Sequence, residues 1–515
     1  MSDLSNYIST SNKPNGVNLL SPTYNRQNHA KSSSFFLKDY EEKKVANEEK
    51  ISIPPVDFFI KYFYLIDKIT ELINYKHGNR ILDPKERLNI QADCYNDVAK
   101  FLSDNDIHCR EDLLPKYIDL IFADILGLGM IEPLLNDPTV DEIMVKSHDA
   151  IYIERFGKIE LSEYRFPTVD NAIGIVKKII TPLNLHIDAA HPNVNAQLEN
   201  GSRLSASIPP LRARGEVSIT IRKFKSTVEP LIYYSRKYQS STPEMVKFLE
   251  NAVKARMSMI VSGGTGSGKT TLLNSLSMAI PNDERLLTCE DTLELQLQQP
   301  HVEAYQTIEA NMEGKGAFTM QQIIIEALRK RPDRIIVGEC RGGEIVEMLN
   351  AMNTGHEGSL STIHANTAQD SIKRMTTMIL SNEATSNLTT NAIYQMLESS
   401  ISLIIQTNRL QDGSRRITSI TEIVGIGKEG FDKLVAKGVI KNTNPDNIQE
   451  DKLYLNDIFR FRAEGVNEKG EIKGRFVSTG YVPYCNDKMI SKGFGFDDSF
   501  YEKRTLMEVN GKNAE

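Results

Sequence analysis

The residues best suited to chemistry form one run: Gly263-Gly264-Thr265-Gly266-Ser267-Gly268-Lys269-Thr270, followed by Thr271. The run fits GxxxxGK[ST] and lies between an apolar stretch, SMIVS, and a helix-forming one, TTLLNSLSMAI. Glycines there let the backbone wrap tightly, so that successive N–H groups point inward at phosphate oxygens. A helix starting at the loop adds its positive dipole end. Lys269 is expected on the β- and γ-phosphates, Thr270 on Mg²⁺, and residues 263 to 271 together as the nucleotide cradle. A glycine turn with a chance lysine is the bland alternative, and the strand-loop-helix setting disfavours it.

Acids follow at the ends of two further apolar runs. Arg334-Ile335-Ile336-Val337-Gly338-Glu339 ends in a carboxylate able to hold Mg²⁺ or orient an attacking water. Thr288-Cys289-Glu290-Asp291-Thr292-Leu293-Glu294 offers Glu290 first, then Asp291 and Glu294. Thr270, Glu339 and Glu290 are thus the expected metal ligands. For each acid the plain alternative is a solvated turn or a helix cap. Two histidines, His356 and His364, sit among Gly and Thr residues and are read together as γ-phosphate sensors. Spacing shows no metal-ligand cluster and no Ser-His-Asp arrangement.

The elements that must position these groups read as follows. Residues 1–55 are rich in Ser, Asn and Lys and are expected as a mobile tail. Residues 56–130 carry apolar positions at three- and four-residue steps and are expected as a helical segment. Residues 131–224 alternate like strands, with Phe156-Gly157 and Asn200-Gly201 as turns, and are expected as a smaller α+β domain. Residues 225–241 have no clean period and are expected as a linker. Thr242-Pro243-Glu244 then starts a helix, and short apolar strands alternate with helices. That alternation predicts an α/β domain over 242–515, with a mostly parallel sheet covered on both faces and a more irregular C-terminal extension.

Composition narrows the function. The chain has 515 residues, of which 40% are hydrophobic and 25% charged, so a sizeable core is expected. Its net charge of −7 disfavours a protein built mainly to grip nucleic acid. Five scattered cysteines with no CxxC pair exclude a disulfide framework and a structural zinc site. The start, MSDLSNYIST, shows no secretory pattern, and no apolar run is long enough to span a membrane. A cytoplasmic protein that meets membranes through partners is the expectation.

The set GGTGSGKTTLLN, LRKRPDRIIVGECRGGE and AMNTGHEGSLSTIHAN resembles the type II/IV secretion-system ATPases. Within them the chain is similar to the CpaF-type branch, which serves tight-adherence (Flp) pili. The resemblance extends through GLGMIEPLLNDPTVDEIMV, NGSRLSASIPP, SITIRKF and RLQDGSRRITSITEIVG, roughly residues 115 to 515. It implies a hexameric ring, ATP bound between an α+β domain and a RecA-like P-loop domain, and membrane platform proteins as partners. It also implies Glu339 as general base, Glu290 in an aspartate box, His364 in a histidine box, and Arg203, Arg222 and Arg341 on phosphate. Cys289 and Cys340 stand where the family has aliphatic residues, which suggests an oxidation-sensitive site. Residues 428–450 look like an insertion.

These readings converge on a Mg-dependent ATPase that drives pilus assembly or secretion. The competitors are a DNA-handling motor, expected to carry a basic channel, and a nucleotide-binding scaffold that does not hydrolyse.

Overall fold

The computed structural model describes residues 54–81, 87–107, 112–155, 157–198, 200–224, 228–308, 315–441 and 444–510. The expected tail, Phe156 of the first turn and Cys109 fall outside this set, apart from the last two residues of the tail. The chain divides into two compact units between Phe224 and Lys225.

In the first unit the apolar three-four pattern becomes helices Pro55–Lys61, Ile66–Ile81, Arg87–Asp104 and Leu114–Leu126. A 3-10 turn, Phe63–Leu65, interrupts what reads in sequence as one periodic run. Phe58 and Tyr117 stack at 4.0 Å and tie the first of these helices to the last. Six strands follow: β1 (Val140–Ser147), β2 (Ala150–Arg155), β3 (Lys158–Leu161), β4 (Asn193–Gln197), β5 (Arg203–Ser207) and β6 (Ser218–Arg222). They form an antiparallel sheet in the order β3-β2-β1-β6-β5-β4. Gly201, at φ +81°, makes the turn between β4 and β5, a conformation glycine adopts without steric cost. Helices and sheet share one apolar core that runs from Val56 to Ile221.

The second unit is built on a ten-stranded sheet. Its strands are β7 (Met259–Gly263), β8 (Leu286–Glu290), β9 (Val302–Gln306), β10 (Arg334–Val337), β11 (Leu360–Ile363), β12 (Leu403–Arg409), β13 (Arg415–Ile426), β14 (Leu453–Val466), β15 (Ile472–Ser478) and β16 (Arg504–Asn510). The order is β16-β15-β14-β13-β12-β7-β11-β10-β8-β9. From β12 to β9 every pairing is parallel. Strands β7, β8, β10 and β11 are buried along their whole length, as expected of a sheet covered on both faces. Alternate residues serve opposite cores. Met259 and Val261 pack with Leu272 and Phe248 on one face, and Ile260 packs with Ile323 and Ile345 on the other.

The C-terminal region departs from its irregular reading. Strands β13 to β16 continue the same sheet as an antiparallel meander. The outer half of β14 is exposed and carries Arg460, Arg462 and Glu464, which hides the strand period in the sequence. Residues 428–450 connect β13 to β14 and include most of the helix Gly427–Ala436. Segment 228–241 holds the helix Ile232–Arg236 and bonds into the second unit: the Ser275 hydroxyl donates to Glu229 O at 2.6 Å, and that of Ser240 to Arg415 O at 2.7 Å. The expected start at Thr242 is present, its hydroxyl accepting from Met245 N at 3.3 Å.

One buried ion pair fixes β10. Arg334, fully buried, binds Glu284 through Nε at 2.6 Å and Nη2 at 2.8 Å, and donates to Val253 O and Gly358 O. Such a pair holds position because each charge has its hydrogen bonds filled.

Candidate functional site

Parallel strands leave their C-terminal ends on one edge, which is where α/β sheets bind ligands. The glycine loop follows β7, Glu290 ends β8, Glu339 follows β10 and His364 follows β11. Strands β7, β11, β10 and β8 are consecutive neighbours, so sequence-distant groups meet on that edge.

The loop turns tightly because its glycines allow it. Gly266 and Gly268 have φ +67° and +89°. A Cβ on Gly263 would sit 2.3 Å from Thr407 O, too close for any side chain. The helix Lys269–Ser277 starts directly after Gly268. Lys269 Nζ donates to Gly264 O at 3.0 Å, and Ser267 N–H donates to the same oxygen at 3.4 Å. A cation and a backbone donor meeting at one carbonyl, next to the start of a helix, suit an anion with several oxygens, as a triphosphate has. From outside, Arg415 Nε donates to Gly266 O at 2.8 Å and the Thr407 hydroxyl to Ser267 O at 3.0 Å. Sequence reading missed Thr407 and Arg415. The Asp412-Gly413 turn between β12 and β13 was the available signal, since it marks a hairpin whose parallel partner is β7.

Glu290 is buried, and its Oε2 accepts from Glu294 N at 2.7 Å and Leu295 N at 2.9 Å. It therefore shapes the turn that presents Asp291. A Cβ on Gly338 would lie 3.1 Å from Glu290 Cγ, so the bare backbone before Glu339 admits the Glu290 side chain. Glu339 is half-buried. Arg341 binds it through Nε at 3.0 Å and Nη2 at 2.7 Å, and reaches Asp291 through Nη1 at 3.0 Å. Burial works against the Arg341 charge, yet the two carboxylates raise its pKa. Thr270, Glu290 and Glu339 are the oxygen-bearing residues expected for Mg²⁺, which prefers such donors; here Glu290 Oε2 is taken up by the amides of Glu294 and Leu295, and Glu339 Oε2 by Arg341.

His364 contacts the loop, its Nε2 lying 3.1 Å from the Thr265 hydroxyl. Burial, then the nearby Lys269 charge, lowers its pKa, so it is neutral at pH 7. His356 is not part of this group. It precedes β11, bonds to Ala351 and Ser359, and lies at the opposite end of that strand. Reading the two histidines as one sensor is corrected by the strand between them.

The expected oxidation sensitivity is also corrected. Cys289 and Cys340 are buried; burial, then the Glu290 charge, pushes the Cys289 thiol up to about 12, and burial raises Cys340 as well. Arg203 and Arg222 belong to the first unit, where they are direct cross-strand partners on β5 and β6. One cluster that spacing did not reveal lies in the same unit: His186, Asp188 and His191, all exposed, place ligand atoms within 4.8 Å of one another.

Fold and loop define a P-loop nucleotide-binding class with a RecA-like sheet. Residues 124–437 match the family model described as "Type II/IV secretion system protein". The chain belongs to that family. It is 31% identical over 304 residues to a candidate conjugal transfer protein of Mycobacterium tuberculosis, covering 58% of this chain and 85% of that one. It is 29% identical over 330 residues to the type IV secretion system protein VirB11 of Bartonella quintana, covering 57% and 92%. Among solved structures it is similar to the VirB11 ATPase of Brucella suis, at 28% identity, 56% and 92% coverage and TM-score 0.32.

Proposed function

We propose that this chain hydrolyses ATP and drives a secretion or pilus-assembly machine. The observation that carries the reading is the meeting, on one sheet edge, of the Lys269 loop with Glu290, Glu339 and His364. The cradle 263–271 binds the phosphates and Lys269 neutralises them. Glu339 takes the proton of the attacking water, and Arg341 leaves the carboxylates to offset charge on the transferred group. Mg²⁺, held by Thr270, Glu290 and Glu339, supplies further charge neutralisation when bound.

By resemblance to the family, Arg203 and Arg222 are further candidates for phosphate contact, and the working assembly is a hexameric ring. Domain motion in that ring then carries force to integral-membrane platform proteins. Among the described residues no helix is long and apolar enough to cross a membrane, which suits a cytoplasmic motor acting through such partners. The motifs GLGMIEPLLNDPTVDEIMV and RLQDGSRRITSITEIVG support placing it in the tight-adherence pilus branch.

The test is fluorescent-nucleotide binding and phosphate release by the purified chain across a concentration series, beside Lys269→Ala. Wild type binds, and its rate per subunit rises with concentration, while the variant does neither. A wild type that binds but never releases phosphate, even when assembled, supports the scaffold alternative. The conjugal transfer relative favours one second reading, a DNA-handling motor. The net charge of −7 weighs against it, and salt-dependent DNA binding by the chain would establish it.

A further inference from the structure

The β12–β13 hairpin lies against the glycine loop at Gly263, Gly266 and Gly268. Thr407 O stands where a Cβ of Gly263 would be. Arg409 Nη1 would be 3.3 Å from a Cβ on Gly266, and Arg415 Cδ 3.4 Å from one on Gly268. Two carbonyls of the loop point at this hairpin and are held there, Gly266 O by Arg415 and Ser267 O by Thr407.

A trans peptide sends its N–H opposite to its C=O. Capturing Gly266 O and Ser267 O from outside therefore turns the N–H groups of Ser267 and Gly268 to the other side. That side is the one where Lys269 Nζ and Ser267 N–H already converge on Gly264 O. We propose that Arg415 and Thr407 are positioning residues of the nucleotide site: they set two peptide planes of the loop so that its amides face the phosphates.

The hairpin is itself anchored. Asp412 Oδ1 accepts from Ser414 N at 2.9 Å and closes the turn, and Asp412 Oδ2 accepts from Ile472 N of β15 at 2.9 Å. The C-terminal meander thus braces the loop through Arg415, which begins β13, and through Asp412, which ties the β12–β13 turn to β15. A reach of this kind gives the extension a role in nucleotide affinity.

This inference rests on the nucleotide-binding reading above, and its test separates the two. Equilibrium binding of fluorescent ATP and steady-state KM and kcat are measured for Thr407→Val, Thr407→Ser, Arg415→Met and Arg415→Lys, with thermal melts of each. Phosphates are gripped in both ground and transition states, so losing one positioning bond raises Kd and KM together by about five- to tenfold, with a smaller change in kcat. Thr407→Ser, which keeps the hydroxyl, and Arg415→Lys, which keeps a donor, recover affinity. Should Arg415→Met fail to fold, the Thr407→Val and Thr407→Ser pair carries the same test. Wild-type Kd and KM in a folded Thr407→Val protein overturn the inference. If wild type and Lys269→Ala both fail to bind, the underlying nucleotide reading falls instead.

Discussion

Arg341 lies across the carboxylate of Glu339, with Nη2 2.7 Å from Oε2, and its other arm reaches Asp291. In this geometry Glu339 is held by Arg341, the cation proposed to offset charge on the transferred group. The pair is partly exposed, so it adds little to stability, less than about 1 kcal/mol. Arg341→Ala should therefore melt close to wild type while phosphate release falls at least about tenfold. A variant that loses stability but keeps its turnover would make the pair merely structural.

The Arg334–Glu284 pair should behave in the opposite way. Both side chains are buried and each satisfies the other. Removing Glu284 leaves Arg334 buried without its counter-charge, so Glu284→Gln should cost about 3–5 kcal/mol in denaturant unfolding; after Arg334→Met, Glu284 keeps Arg256 at 3.3 Å and the cost should be smaller. Because Arg334 begins β10, the strand that delivers Glu339, the partly destabilised protein should also lose turnover. Equal midpoints for variant and wild type would contradict the account.

His364 supplies the pH dependence. Burial, then Lys269, lowers its pKa below the ordinary value near 6.5. The folded protein therefore binds fewer protons at this site than the unfolded chain does. Its contribution to stability is complete above about pH 6.5 and declines as pH falls from there to the lowered folded value. A proton-shift titration of the imidazole should show a midpoint below 6.5, moving part of the way back in Lys269→Ala. A midpoint above 6.5 would contradict the burial and charge argument.

The thiols give a simpler test. Cys94, Cys289, Cys340 and Cys485 are all buried, and the Cys289 thiol is pushed up to about 12. At pH 8 a disulfide reagent should modify none of these four until denaturant is added, because the thiolate is the reactive form. Rapid modification of Cys289 in the native protein, with loss of activity, would restore the idea of an oxidation-sensitive site.

Much of the second unit was legible because each signal was local. The runs around Ile260, Leu287, Ile336 and Ile363 are short, apolar and separated by helical periods, and all became parallel strands. The glycine loop announced itself by composition. What stayed hidden depended on contacts between distant segments. Thr407 and Arg415 reach the loop only because β12 pairs with β7, and Arg341 meets Asp291 only because β8 neighbours β10. The meander was obscured by charged residues on the exposed half of β14. His356 and His364 were legible in principle, since the strand SLSTI between them had to carry them apart.

The central claim is that Glu339 acts on water rather than on nucleotide affinity. The direct measurement compares wild type with Glu339→Gln for binding of fluorescent ATP and for phosphate release in the presence of Mg²⁺. The variant should bind ATP within about threefold of wild type and release phosphate at least about a hundredfold more slowly. Phosphate release by Glu339→Gln at the wild-type rate would remove Glu339 from the chemistry and contradict the account.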